Sequence, residues 1–377
     1  MAEQKRFLAG KGPFIRKADT SVSTTRMMRD FMVALLPLII FAWVKNGLLP
    51  FIAGDVGVFQ MLYPLLFVAV GGASSMLVEG FYFTIFMKEE HVKEKLQESF
   101  ALIPGVLLAM ILPLHTPIWV LVLGCIFATG IGKLLFGGFG YNVFNPALIG
   151  YIFIMTAYYG VINANGGYFN ASELDITTTV TPLAQFFGGA GMDLEAAMGP
   201  YGTIGTFFIG LHPGSLAETS TFLCLVGMGY LIVRKVINWR VPVIYLGAVF
   251  VFTYIIGATQ GYATDLRYPL FQLFNGGLAF GAVFMATEPV TTPRTPNGKV
   301  IFALLLASLT VMLRFVSNMS EGVATSILFM NMFAPMLDRS MAKVRINGLN
   351  KRTVIVYAVL GLVVLAIFGF TLLQMGA

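Results

Sequence analysis

The stretch DITTTVTPLA, residues 175–184, places four threonine hydroxyls within five positions of a chain that is otherwise apolar over most of its length. Two interpretations are open from these residues alone. The threonines are incidental to a structural loop, or one of them carries a chemical group. An unactivated threonine is a poor nucleophile, so an attached group would require a dedicated transferase.

Ionisable side chains deep in apolar segments are the second set that could do chemistry. Glu79 lies in GGASSMLVEG, Glu288 in ATEPVTTP and Asp338 at the end of NMFAPMLD, while Lys133 and Arg314 are the matching cations. Such groups are costly in lipid and are functional candidates by default. Snorkelling or helix capping is the alternative for the groups at the ends of spans. For Glu79 the choices are a cation site, a proton site or an ion pair between helices, and oxygen ligands suit sodium as well as protons.

Two stretches rich in Gly and Asn form the third set, GGFGYNVFNPALIG at 137–150 and FNGGLAFGAVFMATEP at 274–289. Glycine lets a backbone approach a ligand closely, and a buried Asn offers donors and acceptors to the edge of a flat heterocycle. Helix packing through small residues is the alternative. Because one stretch lies in each half of the chain, we expect two pseudo-repeated halves, a pattern that often places a site at the repeat interface.

The sequence contains no P-loop, HExxH, CxxC or strand-to-helix GxSxG signature. Its three histidines are too few and too scattered for a bis-histidine haem site. Cys125 and Cys224 lie in apolar runs, which predicts buried thiols rather than a disulfide or a metal site. We therefore predict neither a metal site nor a catalytic residue of a common hydrolase.

The elements that position these residues follow from composition. Of 377 residues, 57% are hydrophobic and only 11% are charged, whereas a soluble domain has about 25% charged residues. This predicts an all-α integral membrane protein. The net charge of +6 is what basic cytoplasmic loops give and needs no nucleic acid to explain it. The polar, basic residues 1–30 do not resemble a cleavable signal peptide.

Apolar runs near the spanning length of about 17–25 residues predict a polytopic bundle of about 10–11 transmembrane helices. The predicted spans are 31–51, 62–87, 99–114, 117–136, 144–160, 217–234, 241–259, 268–287, 300–317, 322–337 and 353–374.

Loop charges give the orientation. Basic loops alternate with loops that carry few or no cations, and residues 161–216 contain no Lys or Arg. By the positive-inside rule the N-terminus is cytoplasmic and 161–216 lies on the outer, periplasmic side. A connection of that length is usually functional or disordered. The predicted organisation is a cytoplasmic segment at 1–30, a membrane domain at 31–340, and a basic loop plus an extra helix at 341–377.

Four motifs resemble, in order and spacing, the D subunit of the Rnf complex and its homologue, the B subunit of the sodium-pumping NADH:quinone reductase. They are STTRMMRDFMVALLP, GGFGYNVFNPALIGY, TEPVTTPRTPNGK and SEGVATSILFMNMFAPMLD, and the resemblance runs from about residue 22 to 340. It implies a membrane subunit of an ion-translocating ferredoxin:NAD oxidoreductase that shows no turnover alone. The homologous quinone reductase subunit is the nearest alternative. A small-solute channel or transporter without flavin is an alternative of another class.

The resemblance also implies a cofactor on the threonine cluster. In this family the phosphate of FMN is esterified to a threonine in a pattern like Ser/Thr-Gly-Ala-Thr followed by an apolar stretch. Here Thr178-Thr179-Val180-Thr181 overlies that pattern, which makes Thr181 the expected acceptor. Because Thr replaces Gly and Val replaces Ala, Thr178 and Thr179 remain alternatives. Asp175 fits the acidic residue that flavin transferases favour.

Further site residues and partners follow from the same resemblance. Relatives also bind riboflavin nearer the cytoplasmic side, and whether this chain does so stays open. The implied partners are the A, B, C, E and G subunits of the Rnf complex, above all the outer-facing, flavin-carrying G subunit, together with a flavin transferase, Na⁺ or H⁺ and the lipid of a bacterial inner membrane. The expected flavin-lining residues are Asn142, Phe144, Asn145 and Asn275, and the expected ion-coupling residues are Glu79, Glu288 and Asp338.

Overall fold

The computed structural model describes residues 7–9, 15–17, 23–164, 181–189, 192–217, 219–317, 322–347 and 351–375. Two short strands near the N-terminus, β1 (Phe7–Ala9) and β2 (Ile15–Lys17), pair antiparallel. The remaining regular structure in the described residues is helical, so the prediction of an all-α membrane protein is confirmed.

Seventeen helices are named here in chain order. They are α1 Thr24–Ala53, α2 Val58–Phe86, α3 Val92–Ser99, α4 Ile103–Ile111, α5 Ile118–Leu134, α6 Pro146–Ala157, α7 Tyr159–Ala164, α8 Pro182–Ala184 continued by a π-turn at Gln185–Gly189, α9 Leu194–Met198, α10 Ile204–Ile209, α11 Thr221–Val233, α12 Arg240–Thr259, α13 Arg267–Phe274, α14 Leu278–Phe280 continued by a π-turn at Gly281–Met285, α15 Pro296–Val316, α16 Val323–Asn347 and α17 Lys351–Gln374.

Each predicted span coincides with a helix or a pair of helices. Among the described residues, five helices are long and apolar enough to cross a membrane: α1, α2, α12, α15 and, over Val354–Gln374, α17. Three shorter apolar helices, α5, α6 and α11, accompany them. The chain is therefore a multi-pass membrane protein, and the duplication of its halves stays a prediction.

Three predicted spans differ from single continuous helices. The span at 144–160 is divided at Tyr158 between α6 and α7. The span at 268–287 is broken between α13 and α14, where Gly276 and Gly277 both take positive φ. The span at 99–114 contains only the nine-residue α4, whose residues from Pro104 to Ile111 are all buried. An apolar run is expected both for a segment that faces lipid and for one buried inside the protein. Hydropathy alone therefore could not distinguish a continuous membrane-spanning helix from a shorter or broken one.

Close packing joins the helices of the first half. A Cβ on Gly71 of α2 would lie 2.6 Å from the carbonyl oxygen of Gly105 in α4, so the two backbones touch. At the other end of the chain, Phe368 of α17 stacks on Phe252 of α12 with ring centroids 4.6 Å apart. The last helix thus packs on the bundle by one side and exposes apolar side chains such as Leu373 on the other.

Candidate functional site

Thr181 begins the short helix α8 as its N-cap. Its Oγ1 accepts a hydrogen bond from the backbone N–H of Ala184 at 3.3 Å, and Pro182 occupies the first helical position. Leu183 and Phe186 of the same helix are fully buried. Burial of these two side chains fixes the helix against the bundle and with it the position of the Thr181 hydroxyl.

The Thr181 cleft opens beside this hydroxyl and is narrow, with space for a water-sized group rather than for a whole nucleotide. It contains two residues that the sequence nominated, Thr181 and Asn275, whereas Thr178 and Thr179 lie outside the described residues. The cleft is lined by Thr181, His212, Pro213, Gly214, Ser215, Thr219, Phe274, Asn275, Gly276 and Gly277.

One wall of the cleft is the break between α13 and α14. Asn275 is extended, and Gly276 and Gly277 follow in the left-handed region with φ of +66° and +62°, which favours glycine. Breaking a helix frees its last carbonyls, and buried Arg314 donates to those of Gln272 at 2.6 Å and Asn275 at 3.0 Å. The guanidinium of Arg314 therefore holds the broken backbone in place.

The opposite wall is tied to the first helix by Lys45. Its Nζ donates to the carbonyl oxygen of His212 at 2.5 Å and to Thr219 Oγ1 at 3.1 Å, and both acceptors belong to cleft-lining residues. Lys45 lies in a π-turn at Val44–Leu48, a feature often found at functional sites. Sequence reasoning missed this lysine. A lone cation at the predicted outer end of a span, where the positive-inside rule disfavours it, was the available signal.

His212 places a polar ring inside the cleft. It is 4% exposed, its ring lies 5.0 Å from that of Phe207, and its Nδ1 has no hydrogen-bond partner in the described part of the chain. Burial, with a smaller contribution from the charge of Lys45, lowers the pKa of His212 to about 3. The imidazole therefore stays neutral at physiological pH and presents an open nitrogen without a charge.

These residues fit the phosphate of a nucleotide. Thr181 and His212 both line the cleft, His212 has an unpartnered ring nitrogen among the described residues, and the Lys45 ammonium is bonded to the cleft residues His212 and Thr219. They do not resemble a metal centre, since no three His, Cys, Asp or Glu side chains group together among the described residues. Cys125 and Cys224 are buried free thiols, as predicted.

A second polar cluster, the Glu79 cluster, lies between α2 and α5. The Lys133 Nζ is 2.5 Å from Glu79 Oε1 and donates to the carbonyl oxygen of Ser99 at 2.6 Å. Both charged side chains are almost fully buried. Glu79 thus takes the geometry of an ion pair between helices, one of the choices that its sequence left open, and its Oε2 has no partner within the described residues.

The ion pair ends a ladder of polar contacts, the α2–α5 ladder, that sequence reasoning missed. Cys125 Sγ donates to the carbonyl oxygen of Gly71 at 3.5 Å, and Ser75 Oγ lies 2.9 Å from Thr129 Oγ1. The ladder residues on each helix are spaced by four, which puts them on one helical face. The sequence did hold a sign of this ladder. Residues 71, 75 and 79 in one apolar run and 125, 129 and 133 in another repeat at the same spacing of four.

Glu288 lies near this cluster but is held by neutral groups. Its Oε1 accepts from Asn142 Nδ2 at 3.4 Å and its Oε2 from Thr291 Oγ1 at 3.1 Å. Its charge also acts on Lys133. The structure therefore brings together two nominated residues, Asn142 and Glu288, from the two Gly/Asn-rich stretches.

Asp338 has a saturated carboxylate. It accepts from the backbone N–H groups of Arg294 at 2.8 Å and Thr295 at 2.9 Å, and from Thr295 Oγ1 at 2.8 Å. Because Thr295 is the N-cap of α15, Asp338 joins α16 to the start of α15. This is the capping geometry that the sequence left open for acids at the ends of spans.

Asn145 and Phe144 begin α6. Asn145 is its N-cap and accepts from the backbone N–H of Leu148 at 3.4 Å, while Phe144 meets Phe136 edge to face at 6.2 Å. With its amide oriented to satisfy both neighbours, Asn331 of α16 accepts from the backbone N–H of Asn145 at 3.1 Å. These residues thus adjoin Asn142 and Glu288, whereas Asn275 belongs to the Thr181 cleft.

Similar proteins carry names that fit a membrane redox complex. The chain is 35% identical over 337 residues to the D subunit of the proton-translocating ferredoxin:NAD(+) oxidoreductase complex of Clostridium ljungdahlii, covering 88% of this chain and 94% of that protein. It is 31% identical over 331 residues to the D subunit of the Na(+)-translocating ferredoxin:NAD(+) oxidoreductase complex of Acetobacterium woodii, covering 87% and 92%. It is 34% identical over 281 residues to the B subunit of the Na(+)-translocating NADH-quinone reductase of Chromohalobacter salexigens, covering 73% and 65%.

The profile of one protein family matches nearly the whole membrane domain, over residues 9–347. This agrees with the resemblance of the four sequence motifs and extends it to the residues between them. The chain belongs to the NQR2, RnfD, RnfE family.

Proposed function

We propose that this chain is the membrane-embedded D subunit of an Rnf-type ferredoxin:NAD oxidoreductase complex, relaying electrons through an FMN esterified to Thr181 and coupling their flow to the translocation of Na⁺ or H⁺. One observation carries the proposal. In a member of this family, a threonine hydroxyl stands in a cleft whose other polar groups suit a phosphate. Alignments with the two D-subunit relatives cover more of both chains than the alignment with the B-subunit relative does.

The chain's own residues supply the binding site. Thr181 would carry the phosphoester, and the cleft beside it, with Asn275 in its wall, would surround the phosphate end. A flavin transferase would move the flavin phosphate from a flavin dinucleotide to the threonine hydroxyl, breaking the pyrophosphate bond and releasing a nucleoside monophosphate, because an unactivated threonine hydroxyl is a poor nucleophile. When bound, FMN supplies the electron-transfer chemistry that protein side chains lack.

Ion coupling would belong to the Glu79 cluster and its neighbour Glu288. The names of the two D-subunit relatives differ in the ion, a proton for one and sodium for the other. Of the three nominated acids, Glu288 is held by neutral groups, Glu79 is paired with Lys133, and Asp338 is engaged by a helix start. We place Glu288 first for ion coupling and the Glu79–Lys133 pair second.

Location and partners follow from the same proposal. The chain would lie in a bacterial inner membrane with its N-terminus in the cytoplasm and the Thr181 cleft on the periplasmic side, as the loop charges favour. Its partners would be the other proteins of the Rnf complex, with the outer-facing flavin protein next to the Thr181 cleft. Riboflavin near Asn142, Phe144 and Asn145 is a further part of the proposal.

The test is covalent flavin on the denatured chain. We expect the full-length protein, co-expressed with a flavin transferase, to give a fluorescent band on a denaturing gel, and the Thr181→Ala variant to lose it. Thr178→Ala and Thr179→Ala serve as matched controls and keep the band. Mass spectrometry of the fluorescent peptide locates the phosphoester.

The other outcomes are equally informative. A band that survives in Thr181→Ala and vanishes in one of the two control variants moves the attachment to that residue. No band in any chain, with the transferase active on another substrate, contradicts the flavin relay and favours the small-solute channel. Reduction of quinone rather than NAD by the assembled complex would assign the chain to the quinone reductase side of the family.

A further inference from the structure

Lys45 is a cation at the edge of the buried interior whose described partners are neutral. Its Nζ bonds to a carbonyl oxygen and a hydroxyl, those of His212 and Thr219. None of the ion pairs among the described residues includes it. An ammonium group withdrawn from water is costly without a counter-charge. An anion beside Lys45 would offset that cost.

The cleft beside Lys45 adds a second polar group that such an anion could meet. His212 and Thr219, which accept its two hydrogen bonds, both line the cleft that Thr181 borders. The imidazole of His212 is 4% exposed and its Nδ1 has no partner in the described structure. Since His212 is neutral, positive charge comes to the cleft from Lys45 on this wall and from Arg314 on the other, where the guanidinium is already engaged by backbone carbonyls.

The charge of the expected FMN linkage is opposite to that of the Lys45 ammonium. An FMN esterified to a threonine is a phosphodiester, which carries one negative charge. A single ammonium balances it, and charge-assisted hydrogen bonds of this kind are stronger than neutral ones. We propose that Lys45, beside the neutral ring of His212, binds the phosphodiester formed at Thr181 and positions it in the cleft. This inference rests on the proposed attachment of FMN.

Glu218 is the rival partner for Lys45, because it directly precedes Thr219 in the sequence. It lies outside the described residues. If Glu218 neutralises Lys45, the lysine is already balanced before any flavin is attached. The experiment must therefore compare the two partners directly.

A double-variant cycle separates these possibilities. The full-length wild type, Lys45→Gln, Thr181→Ala and the double variant are each co-expressed with the transferase, and the apparent melting temperature and flavin content of each are measured. In the flavin-bearing background, Lys45→Gln should lower the melting temperature by several degrees or sharply reduce attachment. In the flavin-free Thr181→Ala background, the same change should lower the melting temperature less, because the loss of two hydrogen bonds to neutral groups is offset by the removal of an uncompensated charge.

Two further variants keep the test specific to this lysine. Lys45→Arg keeps the charge and should retain both flavin content and stability. Lys299→Gln removes another half-buried lysine, one beside Asp338 rather than the cleft, and should leave flavin content unchanged. Loss of flavin in Lys299→Gln as well would overturn the assignment to Lys45.

The inference and the proposed function fail in different ways. Flavin-free wild-type protein contradicts the proposed function itself. Flavin-bearing wild-type protein with an equal loss of melting temperature on Lys45→Gln in both backgrounds overturns only the role of Lys45. If Glu218→Gln lowers the melting temperature of Thr181→Ala as much as Lys45→Gln does, Glu218 is the counter-ion and the inference is wrong.

Discussion

Gly276 lies between two parts of the Thr181 cleft, the helix that begins at Thr181 and the side chain of Arg314. Its φ of +66° is unfavourable for any residue with a Cβ, and a Cβ there would lie 2.6 Å from Leu183 Cδ2 and 2.8 Å from Arg314 Nη2. Leu183 fixes the helix that begins at Thr181, and Arg314 holds the broken backbone after α13. Crowding at this glycine would therefore move the helix that begins at Thr181 and the broken backbone after α13.

Gly276→Ala should destabilise the protein and reduce flavin attachment at Thr181. A left-handed alanine costs about 1–2 kcal/mol from backbone conformation alone, and displacement of Leu183 or Arg314 adds to it. Apparent melting temperature and flavin content per chain measure the two effects. Gly261→Ala is the matched control, because Gly261 has φ of +93° but no atom within 4 Å of the added Cβ. Equal losses of flavin in the two variants would mean that crowding at Gly276 is irrelevant.

The sequence predicted some residues of the cleft individually but could not show which residues lie together. Thr181 and Asn275 were predicted as site residues, and both line the cleft. Lys45 and His212 were missed because the contact between them joins positions 167 residues apart. Local patterns carry no information about such contacts, although the position of Lys45 at the predicted outer end of a span was unusual enough to notice.

The α2–α5 ladder joins two helices through buried polar contacts. Glu79 and Lys133 were each identified from the sequence as costly groups in apolar spans, and the structure pairs them. Ser75 and Thr129, one turn earlier on each helix, also pair. A buried ion pair contributes little net stability but is strongly destabilising when only one partner is removed. The pair therefore has to be tested as a unit.

Neutralising either Glu79 or Lys133 alone should destabilise the protein far more than neutralising both. Glu79→Gln or Lys133→Gln alone leaves a buried charge, for which about 3–5 kcal/mol is typical. The double variant should recover most of that loss, as read from apparent melting temperatures of the four chains. Additive losses would contradict an ion pair. If the stable double variant still supports ion transport in the assembled complex, Glu79 has a structural role, and coupling belongs to Glu288.

Helix positions were predictable, whereas helix continuity was not. Apolar length located each of the spans, because lipid and protein interiors both demand apolar side chains. The same signal overlooked the break at Asn275–Gly277 and the buried, nine-residue α4. A pair of glycines causes the break, and burial on all sides allows the short helix. Burial can be recognised only once the positions of the neighbouring helices are known.

At the scale of the molecule, the two polar clusters lie towards opposite ends of the bundle. A Cβ on Gly47, two residues after Lys45 in α1, would clash with the carbonyl oxygen of Met61 in α2, so Lys45 lies near the level of Met61. Glu79 is 18 positions beyond Met61, or about 27 Å at 1.5 Å per residue. This distance matches the hydrocarbon thickness of a bilayer. The end with the Thr181 cleft and the end with the Glu79 cluster are therefore expected on opposite sides of the membrane.

Surface labelling of introduced cysteines should show this orientation. Thr203→Cys, at an exposed position towards the Thr181 cleft end, should react with a membrane-impermeant maleimide in cells whose outer membrane alone is permeabilised. Lys95→Cys, on the exposed α3 near the Glu79 end, should react only after the inner membrane is opened. The native Cys125 and Cys224 are fully buried, so they need not be replaced and the wild type serves as the background control.

Reaction of Lys95→Cys in cells with an intact inner membrane would show that the topology is the reverse of the predicted one. Since the basic loops would then face outward against the positive-inside rule, it would also remove the basis for placing the Thr181 cleft opposite the outer flavin protein.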